Sequence, residues 1–141
     1  GYVEETPLPR LFRESPLNAI WEGSGNVIAL DILRTFAREP QALAAFAAEL
    51  RRAAGADSRL DAAIGEVLGG LAAARPAEAE ARFVAERLAL TLQAALLARH
   101  APSAVADAFI ATRIVGGGGR SYGAVPRDFA AAPIVARHAG H

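Results

Sequence analysis

The apolar positions of this chain recur mostly at helical spacing. Leu43, Phe46, Ala47 and Leu50 fall at i, i+3, i+4 and i+7 and predict a helix from Pro40 to Ala54, closed by Gly55. Leu60, Ile64, Val67, Leu68 and Leu71 predict another, capped by Ser58 with Asp61 in a short capping box. Gly69-Gly70 would weaken its end or admit a close helix contact. The longest helix is expected to begin at Arg75-Pro76 and end at Arg99-His100. Its broad apolar cover, from Phe83 to Leu97, predicts contact with several helices or with another subunit. Val105, Phe109, Thr112 and Ile114-Val115 mark a last major helix, stopped by the glycines at 116–119. Gly123, Pro126 and Pro133 then predict a loop with one short helix near Arg127–Ala132.

Ahead of these, Val27, Ile28, Leu30, Ile32, Leu33 and Phe36 surround most of a helical circumference. That pattern predicts a helix starting at Gly23-Ser24, buried on all sides and ended by Pro40. Leu8 to Arg13 reads as a short amphipathic helix with Thr6 as N-cap and Pro7 at its first position. Ser15-Pro16 should stop it, because a residue before proline is disfavoured in the α region. No strand pattern competes, so the expected fold class is all-α, a helical bundle.

Composition refines this picture. The 141 residues are 52% apolar, much of it alanine, which predicts closely approaching helices with a core studded by Leu, Ile, Val and Phe. Net charge is zero, which gives no bulk argument for nucleic acid or membrane. Every basic residue is Arg, and residues 87–141 hold six Arg against two acids. Of these, Arg99, Arg113, Arg120 and Arg127 are candidates for a DNA-facing surface, although a solvated face is the ordinary reading of scattered arginines. Without cysteine there is no thiol chemistry or disulfide, and the three histidines lack metal-ligand spacing. No metal site is expected. Neither is a transmembrane span, and a cytoplasmic location fits. The glycine run at 116–119 follows a helix and lacks the Lys and Ser/Thr of a phosphate loop, so it reads as a flexible connection.

The chemistry concentrates in Ile20-Trp21-Glu22-Gly23-Ser24-Gly25-Asn26. A Glu just before a helix ordinarily serves the helix dipole. Here Ile20 and Trp21 precede Glu22 and Gly23 follows it. An apolar wall disfavours the charged carboxylate and raises its pKa, which suits a general base. Gly23 and Gly25 let backbone approach a ligand, while Ser24 and Asn26 offer hydrogen bonds.

With Gly1-Tyr2-Val3-Glu4-Glu5 and Arg13-Glu14, this segment resembles the acyl-CoA dehydrogenase flavoprotein family. Its members carry I-Y-E-G-T-x-Q near the C-terminus, after a G-G-x-G-[YF] turn and an R-D pair. The run from Pro7 to Asn18 and the helices after Arg38 look most like the AidB-like subgroup. The resemblance implies a C-terminal piece of a longer polypeptide. Residues 1–38 would end the family's helical bundle, and 39–141 would form an AidB-like helical extension packed with it. It further implies α,β-dehydrogenation of an acyl-CoA thioester with FAD, Glu22 being the general base. Trp21, Ser24 and Asn26 would contact the cofactor, and Gly23 the substrate. The departures are Trp for Tyr, Ser for Thr, Gly25, and Asn for Gln; Asn26 reaches less far than Gln. A homo-oligomer is implied, and the AidB-like subgroup adds double-stranded DNA as an alternative partner, with vestigial dehydrogenase activity. The piece alone is expected to be inactive and not to retain FAD.

Overall fold

A computed structural model describes residues 3–21, 23–116, 125–126 and 129–139. Among the described residues there are seven α-helices and no strand: α1 Leu8–Glu14, α2 Gly25–Arg38, α3 Pro40–Arg51, α4 Ser58–Ala73, α5 Ala81–His100, α6 Ser103–Phe109 and α7 Ala131–Ala139. The all-α bundle expected from periodicity is the observed architecture.

The central element is α5. It packs against α2, α3, α4 and α6, as its broad apolar cover predicts. Ala94 and Ala95 are fully buried where it crosses its neighbours, against Leu50 and Ala53 at the end of α3, Leu60 and Ile64 of α4, and Ile110 after α6. Small side chains on α5 let larger ones from the surrounding helices close over it. A second, smaller cluster joins Ala29 and Leu33 of α2 to Ala81 at the start of α5. Phe36 and Phe46 tie α2 to α3, with ring centroids 5.9 Å apart and planes tilted by 48°.

Several helix ends differ from expectation. Ser15 precedes Pro16 yet keeps helical angles, φ −59° and ψ −35°, and the chain runs on as a 3-10 helix over Ser15–Ala19. There Pro16 occupies an early helical position, where its missing N–H leaves no bond unmade. The cap of α4 is Asp57 rather than Ser58. Its carboxylate accepts from the N–H groups of Arg59 at 2.8 Å and Leu60 at 3.4 Å. Asp61, expected in a capping box, instead accepts from the N–H of Gly55 at 3.0 Å. Gly55, in the turn after α3, has φ +81°. No neighbouring atom comes within 4 Å of where a Cβ on Gly69 or Gly70 would stand, so these glycines mediate no close contact.

The longest helix starts later than Arg75-Pro76. A 3-10 turn at Glu78–Glu80 leads into Ala81, and the Glu80 carboxylate accepts from the Ala77 N–H at 3.0 Å. The last major helix changes pitch, passing from α6 into a π-helical turn over Ile110–Ile114. The short tail helix lies C-terminal to its expected place. Pro133 falls in the first turn of α7, where it is tolerated, so it does not mark a loop. Most of the glycine run, residues 117–119, lies outside the described residues.

The largest departure concerns α2. It was expected to be buried all round, but only Ala29 and Leu33 are, while Val27 and Ile28 are exposed. α2 lies on α5 along one face and meets α3 near its end through Phe36, while Val27 and Ile28 at its start stay exposed.

Candidate functional site

The glycine segment is positioned by the turn that follows the first 3-10 helix. The N–H groups of Ile20 and Trp21 donate to the Leu17 carbonyl at 3.0 and 2.8 Å, and the Gly23 N–H donates to the Ile20 carbonyl at 3.1 Å. Gly23 has φ +123°, a conformation L side chains rarely adopt. An added Cβ there would meet Val27 and Ile28 only at ordinary contact distance, so backbone conformation rather than space requires the glycine.

This turn presents its apolar side chains outward. Ile20 is 67% and Trp21 62% exposed, and they continue into the exposed Val27 and Ile28. Ser24 takes the N-cap position of α2 with extended angles, φ −67° and ψ 155°. Its hydroxyl makes no capping bond, while its carbonyl accepts from the Ile28 N–H at 3.1 Å. Asn26 Oδ1 accepts from Arg82 Nη1 of α5 at 3.3 Å. That leaves the amide N–H2 of Asn26 as the group available to a ligand. Glu22 itself lies outside the described residues.

The fold thus brings Trp21, Gly23, Ser24 and Asn26 onto one turn and the first turn of α2. It adds Arg82, which the sequence reading missed. The two contacting residues are 56 positions apart, and nothing local to Arg82 distinguishes it from any other arginine on a helix. An exposed aromatic wall beside hydrogen-bond donors suits a planar heterocycle with carbonyl acceptors, so these residues fit the flavin that the family motif implies.

The proposed basic surface is not assembled in the same way. The Arg99 side chain is only 17% exposed, and its guanidinium is paired with Glu49 of α3. Arg52 also pairs with Glu49, at 2.9 Å, and these two guanidinium groups, Arg52 first, hold its carboxyl below the usual carboxylate range. Arg99 therefore joins α5 to α3 and does not face outward as expected. Arg113 is exposed on the π-helical turn and makes no ion pair among the described residues. Arg120 and Arg127 lie outside the described residues. No cluster of side chains suited to a metal occurs among the described residues.

The chain is similar to two curated proteins. It is 35% identical over 109 residues to "Putative acyl-CoA dehydrogenase AidB" of Escherichia coli (strain K12), a match covering 77% of this chain and 20% of that protein. It is 48% identical over 46 residues to "Acyl-CoA dehydrogenase family member 11" of Caenorhabditis elegans, covering 33% of this chain and 8% of that protein. No family model matches the chain. Together with the all-α fold and the glycine segment, these similarities make it an acyl-CoA dehydrogenase-like chain. Within that class it is AidB-like and corresponds to a C-terminal part. It spans about one fifth of the length of its AidB relative.

Proposed function

We propose that this chain is the C-terminal helical part of a FAD-dependent oxidoreductase that dehydrogenates an acyl-CoA thioester, with Glu22 as the general base. The observation that carries the reading is the outward-facing apolar row on both sides of Glu22: Ile20 and Trp21 before it, Val27 and Ile28 after it. A ligand or protein surface laid on this row would exclude water around the carboxylate. Desolvation raises a carboxyl pKa and strengthens the group as a base. Gly23 lets backbone approach the thioester, and its positive φ sets the direction in which the segment enters α2. Trp21 would wall the flavin, with Ser24 and Asn26 donating to its acceptors. When bound, the flavin supplies the hydride acceptor for the substrate β-carbon. Glu22 would take the α-proton. The remaining walls of such a site would come from polypeptide beyond these residues, and the assembly is expected to be a homo-oligomer in the cytoplasm.

Anaerobic mixing of the full-length flavoprotein with acyl-CoA thioesters tests this. Glu22→Gln is expected to slow substrate-dependent bleaching of the flavin absorbance by roughly 10²–10⁴-fold, the usual contribution of a general base. Bleaching at the unaltered rate would sink the assignment. The alternative, double-stranded DNA as partner, has less support: Arg99 is engaged by Glu49, leaving Arg113 as the one exposed candidate among the described residues.

A further inference from the structure

We propose that the cleft between the C-terminal half of α4 and the N-terminal half of α5 binds a small amphiphile with a single anionic head, of the medium-chain aliphatic carboxylate class. The cleft has a volume of about 360 Å³. Small-molecule sites are commonly on the order of 300–1,000 Å³ with predominantly apolar walls. Its walls are Val67 and Leu71 from α4 and Phe83, Val84 and Leu88 from α5. Phe83 is 64% exposed and offers an aromatic face that an aliphatic tail would cover. Among the described residues no other element covers it.

Gly70 supplies the second argument. It lines the cleft inside α4, and a Cβ added there would meet nothing within 4 Å. Neither packing nor a positive φ demands glycine at this position. Glycine inside a helix costs roughly 1 kcal/mol relative to alanine. What it leaves is open width in the cleft.

The charges at the rim select the head group. Four charged residues line the cleft: Glu66, Arg75, Glu80 and Arg87. Glu66 Oε2 is bound by Arg87 Nη2 at 2.9 Å, and Glu80 Oε2 accepts from the Ala77 N–H at 3.0 Å. Both carboxylates are thus answered from within the fold. Arg75 pairs with no acid among the described residues, and Arg87 has further N–H groups beyond the one bound by Glu66. A neutral apolar molecule would draw on neither guanidinium, Arg75 then staying hydrated at the exposed rim. A multiply charged head would face Glu66 and Glu80 as well. One carboxylate matches the donors left over.

The test is titration of the full-length protein with octanoate and, separately, 1-octanol, followed by NMR and calorimetry. Octanoate is expected to bind saturably and shift the resonances of Phe83 and Leu88. Arg75→Ala should weaken octanoate binding about tenfold, the scale of one charged hydrogen bond, and leave octanol binding unchanged. Gly70→Leu should fill the cleft and abolish binding while melting no lower than the parent chain, because leucine is the better helix former. Octanoate binding that survives Gly70→Leu, octanol binding as tightly as octanoate, or no saturable binding would each overturn the proposal. So would concentration-dependent self-association that buries Phe83, since a second copy would then be the occupant.

Discussion

Thr91 lies fully buried in the middle of α5, and its hydroxyl has no hydrogen-bond partner. A buried donor left unpaired costs about 1–3 kcal/mol, whereas valine has nearly the same shape and no polar atom to satisfy. Thr91→Val should therefore raise the urea midpoint at unchanged m-value, by about 1 kcal/mol in unfolding free energy. A lower midpoint would mean that the hydroxyl is bonded in solution. The apolar stretch from Phe83 to Leu97 includes Thr91 but carries no sign that its hydroxyl is unanswered, because packing sets the rotamer that decides whether the hydroxyl reaches a carbonyl. Arg99 and Arg82 teach the same lesson with opposite outcomes. Arg99 looked free and is paired to Glu49, while Arg82 attracted no notice and reaches Asn26. Charge type is local information; the choice of partner is not.

Among the elements, α4 shows where local rules were close and where they slipped. Its start was legible to within one residue, because an acidic or hydroxyl residue ahead of an apolar stripe marks an N-cap. Asp57 rather than Ser58 takes the cap, and the Arg59 side chain binds the same carboxylate. Its guanidinium grips Asp57 at 2.6 Å while also reaching Asp107 of α6 at 2.5 Å. Arg59, by hydrogen bonding, is the main cause that depresses the Asp57 pKa from 3.8 to about 2. Because the folded value lies below the unfolded one, the unfolded chain takes up the proton first as pH falls. The stabilisation is complete above about pH 4 and is lost as pH falls through about 2. With solvent screening of the partly exposed pair, it amounts to on the order of 1 kcal/mol. Asp57→Ala should cost about 1–2 kcal/mol near neutral pH, from cap and ion pair together, and flatten this acid dependence. Thermal melts of both proteins between pH 2 and pH 6 check it. A variant with the same acid slope as the parent would contradict the assignment.

At the scale of the whole molecule, exposed apolar residues crowd the first 28 positions, with Phe83 of α5 among those further along the chain. Leu50, Leu60 and Ile110 are fully buried around α5, whereas Leu8, Leu11, Phe12, Leu17, Ile20, Trp21, Val27 and Ile28 are all exposed. Leu50→Ala should cost about 2–5 kcal/mol, as buried leucine truncations do, while Phe12→Ser should stay within about 0.5 kcal/mol. Denaturant melts of the two variants measure the difference; a comparable loss from Phe12→Ser would mean that the first segment belongs to the core. No helix among the described residues is long and apolar enough to cross a membrane, so this apolar surface is not explained by a span.

The sequence alone determined the all-α class and the existence of the helices between residues 25 and 114, and it singled out the segment from Ile20 to Asn26, whose chemical role is proposed. These follow from the 3.6-residue period, from caps and breakers, and from residue types that act within a few positions of one another. Only tertiary structure decided that α2 buries one face instead of all of them, that Arg99 belongs to Glu49, and that Arg82 stands beside Asn26. An apolar residue records that it can be buried, not which surface covers it. The residues on both sides of Glu22 are where that difference is greatest.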